Sequence, residues 1–263
     1  MFGRYVTLFS VLSLIAACGE SSSRLEVPFV ANFAGAPLSC QGSDSINLTD
    51  LRFYVHNLRL IDADGQEHPL RLTANDWQDS DLVLLDLEDG TANCLNGTTP
   101  VNTMAVGTIT GSDLRGLKFT LGVPFASNHG DPLKADAPLG DPDMHWHWRG
   151  GYKFFRAGIK SEQDSFWIHL GSTGCEGTIQ NIIGCNSPNR TDVYLENFVP
   201  GDSVTVDLAA LVTGDIFHDG EASDCSSGPA ESSCVGAFAA FGLDHATGDT
   251  TGTQHVFATQ SAR

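Results

Sequence analysis

Apolar and polar side chains alternate residue by residue along much of this chain. Val27, Phe29, Ala31 and Phe33 alternate with Pro28, Val30 and Asn32, and Leu117, Phe119, Leu121 and Val123 with Lys118, Thr120 and Gly122. Phe166, Ile168 and Leu170 point one way while Trp167 and His169 point the other, and Val204, Val206 and Leu208 repeat the pattern. Period two is the mark of a strand with one face in a core. Segments 51–61 and 82–87 are more continuously apolar and suit central strands. A long period of 3.6 is missing; 207–212 and 73–79 are expected as short helical turns. Turn clusters of Gly, Pro and Asn separate the runs, and 124–143 and 213–235 read as long loops, where function often resides. The expected fold is all-β: one mostly antiparallel sandwich or barrel-like domain with long loops.

The chain's start reads differently. Residues 1–17 have the form of a lipoprotein signal peptide, with Arg4 ahead of an apolar run at 6–17 too short to span a bilayer. Leu14-Ile15-Ala16-Ala17-Cys18 looks like a bacterial lipobox, which makes Cys18 the expected lipidation site and 18–25 a flexible tether. The β domain is then 26–263, with no visible linker or repeat. Six further cysteines remain: Cys40, Cys94, Cys175, Cys185, Cys225 and Cys234. An even number in an exported chain argues for three disulfides. Cys175–Cys185 and Cys225–Cys234 are near enough in sequence to close local loops, which leaves Cys40–Cys94. With no C-x-x-C, neither a thiolate zinc site nor a redox dithiol is indicated.

The formal charge is −18, from 14 Lys and Arg against 32 Asp and Glu. Nucleic-acid binding is excluded on that balance, because phosphate contacts need clustered cations.

The candidate chemistry lies at Met144-His145-Trp146-His147-Trp148-Arg149-Gly150-Gly151. An extended backbone puts His145 and His147 on one face and both tryptophans on the other. Two imidazoles so placed reach one metal ion, and imidazole suits copper and zinc better than calcium or magnesium. His56, in an apolar strand, His129, in a turn-rich segment, and His169, beside Trp167, are the remaining candidate ligands. Met144 is expected to pack, and His68, His218, His245 and His255 to be solvated. Asp131, Asp136, Asp141 and Asp143 do not have EF-hand spacing and read as turn caps. Gly171-Ser172-Thr173-Gly174 is not the hydrolase elbow G-x-S-x-G. The three Asn-x-Thr sequons at Asn47, Asn96 and Asn189 read as incidental.

Several stretches together resemble the MbnP-like family of methanobactin-associated copper-binding proteins. They are Asp50-Leu51-Arg52-Phe53-Tyr54-Val55-His56-Asn57, Leu84-Leu85-Asp86-Leu87-Glu88-Asp89-Gly90 and 116–125; Asn128-His129-Gly130-Asp131-Pro132; Met144 to Trp148 with Gly150-Gly151-Tyr152-Lys153-Phe154; and His169-Leu170-Gly171-Ser172-Thr173-Gly174-Cys175. The resemblance runs over roughly residues 26 to 245. It implies a β-rich copper-binding protein of the bacterial envelope; with the lipobox at Cys18, the expected location is lipid-anchored at the membrane, on the periplasmic or the outer, surface side. It also implies a tryptophan oxidised to kynurenine that helps histidines hold the metal, here Trp146 or Trp148, and a partner resembling the di-haem tryptophan-oxidising enzyme MbnH. His145 and His147 depart from the family pattern. Intact indole is a poor ligand, whereas kynurenine carries an aryl amine and a ketone.

The expectation is a copper-handling protein and not an enzyme. Two other readings remain. A His-ligated zinc enzyme would activate water for hydration or hydrolysis, although no general base stands beside the His-x-His pair. A metal-free structural or adhesion sandwich would scatter its histidines.

Overall fold

Alternation becomes extended backbone in the computed structural model, which describes residues 22–42, 46–162, 164–179, 181–212 and 224–262. The signal segment, Cys18 and His218 lie outside the described residues. In chain order the strands are β1 (Ser23–Phe33), β2 (Ala36–Pro37), β3 (Asn47–Asp62), β4 (Glu67–Pro69), β5 (Arg71–Leu72), β6 (Leu82–Asp86), β7 (Met104–Ile109) and β8 (Leu114–Leu121). They continue with β9 (His145–His147), β10 (Gly151–Lys160), β11 (Ser165–Gly171), β12 (Thr173–Thr178), β13 (Asn181–Ser187), β14 (Thr191–Leu195), β15 (Ser203–Asp207) and β16 (Phe257–Gln260).

Two sheets face each other. One runs β16-β15-β1-β7-β5, with β2 beside β1; the other runs β11-β10-β3-β8-β14, with β4 and β6 on β3 and β9 on β10. Pairing is antiparallel except between β1 and β15, which are parallel. Among the described residues no closed barrel forms, so the sandwich half of the expectation holds. The inner faces meet through aromatic rings: Phe29 of β1 lies 5.6 Å from Phe53 of β3 and 5.8 Å from Phe119 of β8, and Phe257 of β16 lies 5.3 Å from Phe119. Edge-on packing of this kind adds to the burial of apolar area.

β3 explains its own continuous apolar run. Leu51, Phe53 and Val55 face the main core, while Tyr54 on the opposite side joins a second cluster with Leu82, Leu84, Val123, Met144, Tyr152 and Phe154. Segments from 124 to 150 lie over that outer face and cover it. Met144 is fully buried there, as its packing role requires.

Three disulfides are present, Cys40–Cys94, Cys175–Cys185 and Cys225–Cys234. Loop spacing anticipated the second and third, and Cys40–Cys94 is the pair that remained. Other expectations need correction. Segment 73–79 is a turn closed by an Asn75–Gln78 bridge and not a helix, because Asn75 Oδ1 accepts the Trp77 and Gln78 amides. Leu208–Leu211 does form a short 3-10 turn, started by Asp207, whose side chain accepts from the Ala209 amide. Among the described residues there is one α-helix, α1 (Val235–Ala240), which begins at the last residue of the expected 213–235 loop. His68 is buried and its Nε2 is 2.8 Å from Asp62 Oδ2, not solvated. No helix among the described residues is long and apolar enough to cross a membrane.

Candidate metal centre

Asn128 organises the region. It is fully buried; its Oδ1 accepts the Tyr152 amide at 3.0 Å and its Nδ2 donates to Gly150 O at 3.3 Å. Gly151 has φ +77°, and a Cβ there would lie 2.2 Å from Asn128 O, so this position requires glycine. Asn128-His129 and Gly150-Gly151, separate motifs in the sequence, are therefore one clamp. The clamp brings His129 against the tryptophan segment. His129 Nδ1 is 3.3 Å from Trp148 O; Nε2 is 3.3 Å from Asn128 Nδ2 and 3.6 Å from Cys185 Sγ. With Nδ1–H donating to the carbonyl, the lone pair sits on Nε2.

A charged network holds the approach to β9. Asp141 Oδ1 accepts the Asp143 amide at the start of a 3-10 turn, Pro142–Met144. Asp143 O accepts from Lys153 Nζ at 2.6 Å and Arg156 Nη1 at 3.2 Å. Beneath lies Arg52, fully buried, which donates to both Asp50 oxygens at 3.1 and 2.9 Å and reaches Asp141 at 3.5 Å and Glu88 at 3.9 Å. Burial and neighbouring Glu88 push the Asp86 carboxyl up to about 8. A cation in the middle of an apolar strand was the sequence signal for this network.

β9 has only three residues, and its register with β10 shifts between Gly151 and Tyr152. Turns follow at 148–150, so strict alternation stops. Consequently His145 and His147 line different clefts. His145 shares a cleft of about 450 Å³ with His129, Asp131, Lys134, Trp148 and Ile179. Its ring packs edge-on against Tyr152 at 4.9 Å, and its Nε2 is buried without a partner. Asp131 is engaged by Lys134 at 2.9 Å. His147 lies in a second cleft of about 390 Å³ with Trp146, Arg149, Ser172 and Cys175, and its Nδ1 accepts the Arg149 and Gly150 amides.

His169 stands on the outer face of β11, its ring centroid 6.4 Å from those of both Trp146 and Trp167. Its Nε2 is also buried and unpartnered. Trp146 rests over Gly171, where a Cβ would come within 2.7 Å of the indole. His56 lies elsewhere, with Nδ1 2.8 Å from Gly122 O at a β3 bulge that precedes Asn57 at φ +55°. It lines neither cleft.

The electrostatics favour the neutral form, the one that binds metal, at His56, His129, His145 and His169. Burial lowers His56, His129 and His145, the last helped by His147 and Lys153. Burial, with Lys153, Arg156 and Arg52 nearby, lowers His169 to about 4. Buried polar atoms are almost always hydrogen-bonded. The orphan nitrogens of His145 and His169 are thus what a bound cation would satisfy, and the donor set fits copper. Cys175, Cys185, Cys225 and Cys234 also cluster with His129 or Glu231, but as disulfides they offer no thiolate.

A family model for MbnP matches residues 22–227. The chain belongs to the MbnP family. MbnP from Methylosinus trichosporium, a solved structure, is 25% identical with a TM-score of 0.80, over 92% of this chain and 100% of that one. Among curated proteins there is no match. The MbnP match spans all five candidate histidines and both candidate tryptophans, and membership associates the chain with methanobactin systems and with copper.

Proposed function

We propose that this chain binds copper in the bacterial envelope, anchored through a lipid on Cys18, and serves acquisition or handling of the metal. The observation that carries the reading is the cleft where His129 and His145 converge beside Trp148, with His145 Nε2 buried and without a partner. His129 Nε2 and His145 Nε2 are the proposed ligand atoms. Trp148, once oxidised to kynurenine by an MbnH-like di-haem enzyme, supplies an amine or ketone to the same ion. A second reading moves the ion across β9 to His169 and an oxidised Trp146, and the orphan Nε2 of His169 favours it. In either case His147 lies at the rim and His56 steadies β3.

Elemental analysis of protein from copper-replete cells tests the assignment. Loss of copper from the His129→Ala/His145→Ala variant, with retention in His169→Ala, supports the first reading; the opposite pattern supports the second. Retention in both overturns copper binding at these histidines. Peptide mass spectrometry over 144–153 identifies which tryptophan is oxidised. Cys18→Ala is expected to release the protein from the membrane fraction.

A further inference from the structure

Cys175 and Cys185 face each other across β12 and β13, a two-stranded sheet of its own outside the sandwich. Their disulfide stands between the two clefts. Cys175 lines the Trp146–His147 cleft, and Cys185 Sγ lies 3.6 Å from His129 Nε2. The two sulfurs and an imidazole nitrogen of His129 all lie within 4.8 Å of one another. Tetrahedral zinc has bonds of about 2.3 Å to sulfur and 2.0 Å to nitrogen, which puts sulfur about 3.6 Å from nitrogen and two sulfurs about 3.8 Å apart. The Cys185–His129 spacing already has that value. Only the sulfur pair must separate, by side-chain rotation once the bond between them is gone.

We propose that reduction of Cys175–Cys185 opens a second, soft-metal site in which both thiolates and His129 Nε2 hold one zinc or copper(I) ion. The reductant is an external dithiol. Two electrons enter, the S–S bond breaks, and the dithiol becomes its own disulfide while its two protons pass to Cys175 and Cys185. Metal binding then releases both protons to solvent, because only thiolates coordinate. Access favours this disulfide over the others. Cys40, Cys94, Cys225 and Cys234 are all at most 2% exposed, whereas Cys185 is half-buried and open to attack. Beside Cys225–Cys234, Glu231 Oε2 is already occupied by the Ser226 amide at 2.7 Å. The hairpin has room to adjust, since nothing lies within 4 Å of where a Cβ on Gly184 would be.

The site shares His129 with the proposed copper centre but does not depend on that reading. Full-chain protein is reduced with a limiting phosphine, its free thiols are alkylated and mapped, and a parallel unalkylated sample is titrated with cadmium. The expected result is two thiols released by reduction, at Cys175 and Cys185, one cadmium equivalent bound beyond that of the oxidised protein, and a thiolate-to-cadmium ultraviolet band absent from the oxidised protein. Cys175→Ala/Cys185→Ala is expected to abolish the band. If that variant does not fold, His129→Asn, with its cysteines intact, is expected to weaken cadmium binding by roughly tenfold or more. First alkylation at another cysteine pair, no thiolate band after reduction, or unchanged affinity in His129→Asn would each overturn the site. Loss of copper alone, with the cadmium band intact, would overturn only the copper reading.

Discussion

Asn128→Ala is the substitution whose cost the structure specifies best. The side chain is fully buried, and its Oδ1 is the acceptor of the Tyr152 amide at 3.0 Å. Tyr152 is itself fully buried, so water does not replace the lost acceptor. An orphaned buried donor costs about 1–3 kcal/mol, and the longer contact to Gly150 O adds about 0.5–1 kcal/mol. The expected destabilisation is about 1.5–4 kcal/mol, large against the whole stability of a typical domain. Urea denaturation should show it as a lower midpoint with an unchanged slope. Asn96→Ala, at an exposed position, serves as the control and should stay within about 0.5 kcal/mol. Amide exchange at Tyr152 should accelerate selectively. A midpoint for Asn128→Ala matching that of the control, or unchanged protection at Tyr152, would refute the clamp.

Arg52→Met leaves buried Glu88 without a cation and buried Asp50 with Arg156 Nε alone, at 2.9 Å, and should cost about 3 kcal/mol by denaturation; a smaller loss in Asp50→Asn/Arg52→Met than in the single variant would identify the under-compensated charge as the cause. His169, with its pKa lowered to about 4, is neutral when folded but protonates near 6.5 when unfolded. Its contribution is therefore complete above about pH 6.5 and is lost as pH falls toward 4, by up to about 3 kcal/mol. His169→Gln should flatten the stability profile of copper-free protein across that window, and an identical slope would contradict the assignment. Gly171→Ala puts a methyl group 2.7 Å from the Trp146 ring and 2.8 Å from Tyr152 O; a changed tryptophan emission spectrum is expected, and a spectrum identical to wild type would argue against the contact.

The sandwich was legible where the sequence pattern is strong. β1, β8, β11 and β15 fall on the alternating runs, and the near-continuous apolar stretch of β3 corresponds to a strand covered on both sides. The β12–β13 hairpin escaped notice because Gly174, Gly177 and Gly184 dilute its apolar pattern, and a cystine links its strands. α1, at six residues, is too short for helical periodicity to register. In the candidate site, the residue types were readable and the grouping was not. Alternation argues for His145 with His147, but the turns after β9 put His145 with Trp148 and His147 with Trp146. His129 joins through Asn128, a link across about twenty residues that no local period encodes.

Because Tyr54 and Phe154 have an apolar lid in Met144 and Leu139, the 124–150 region is not an accessory that can be trimmed. Shortening it to make a minimal scaffold would leave greasy rings bare on the central ribbon, and such a truncated chain should clump during expression. Engineers who wish to graft a different metal chemistry here would do better to exchange side chains on the existing backbone than to replace the segment.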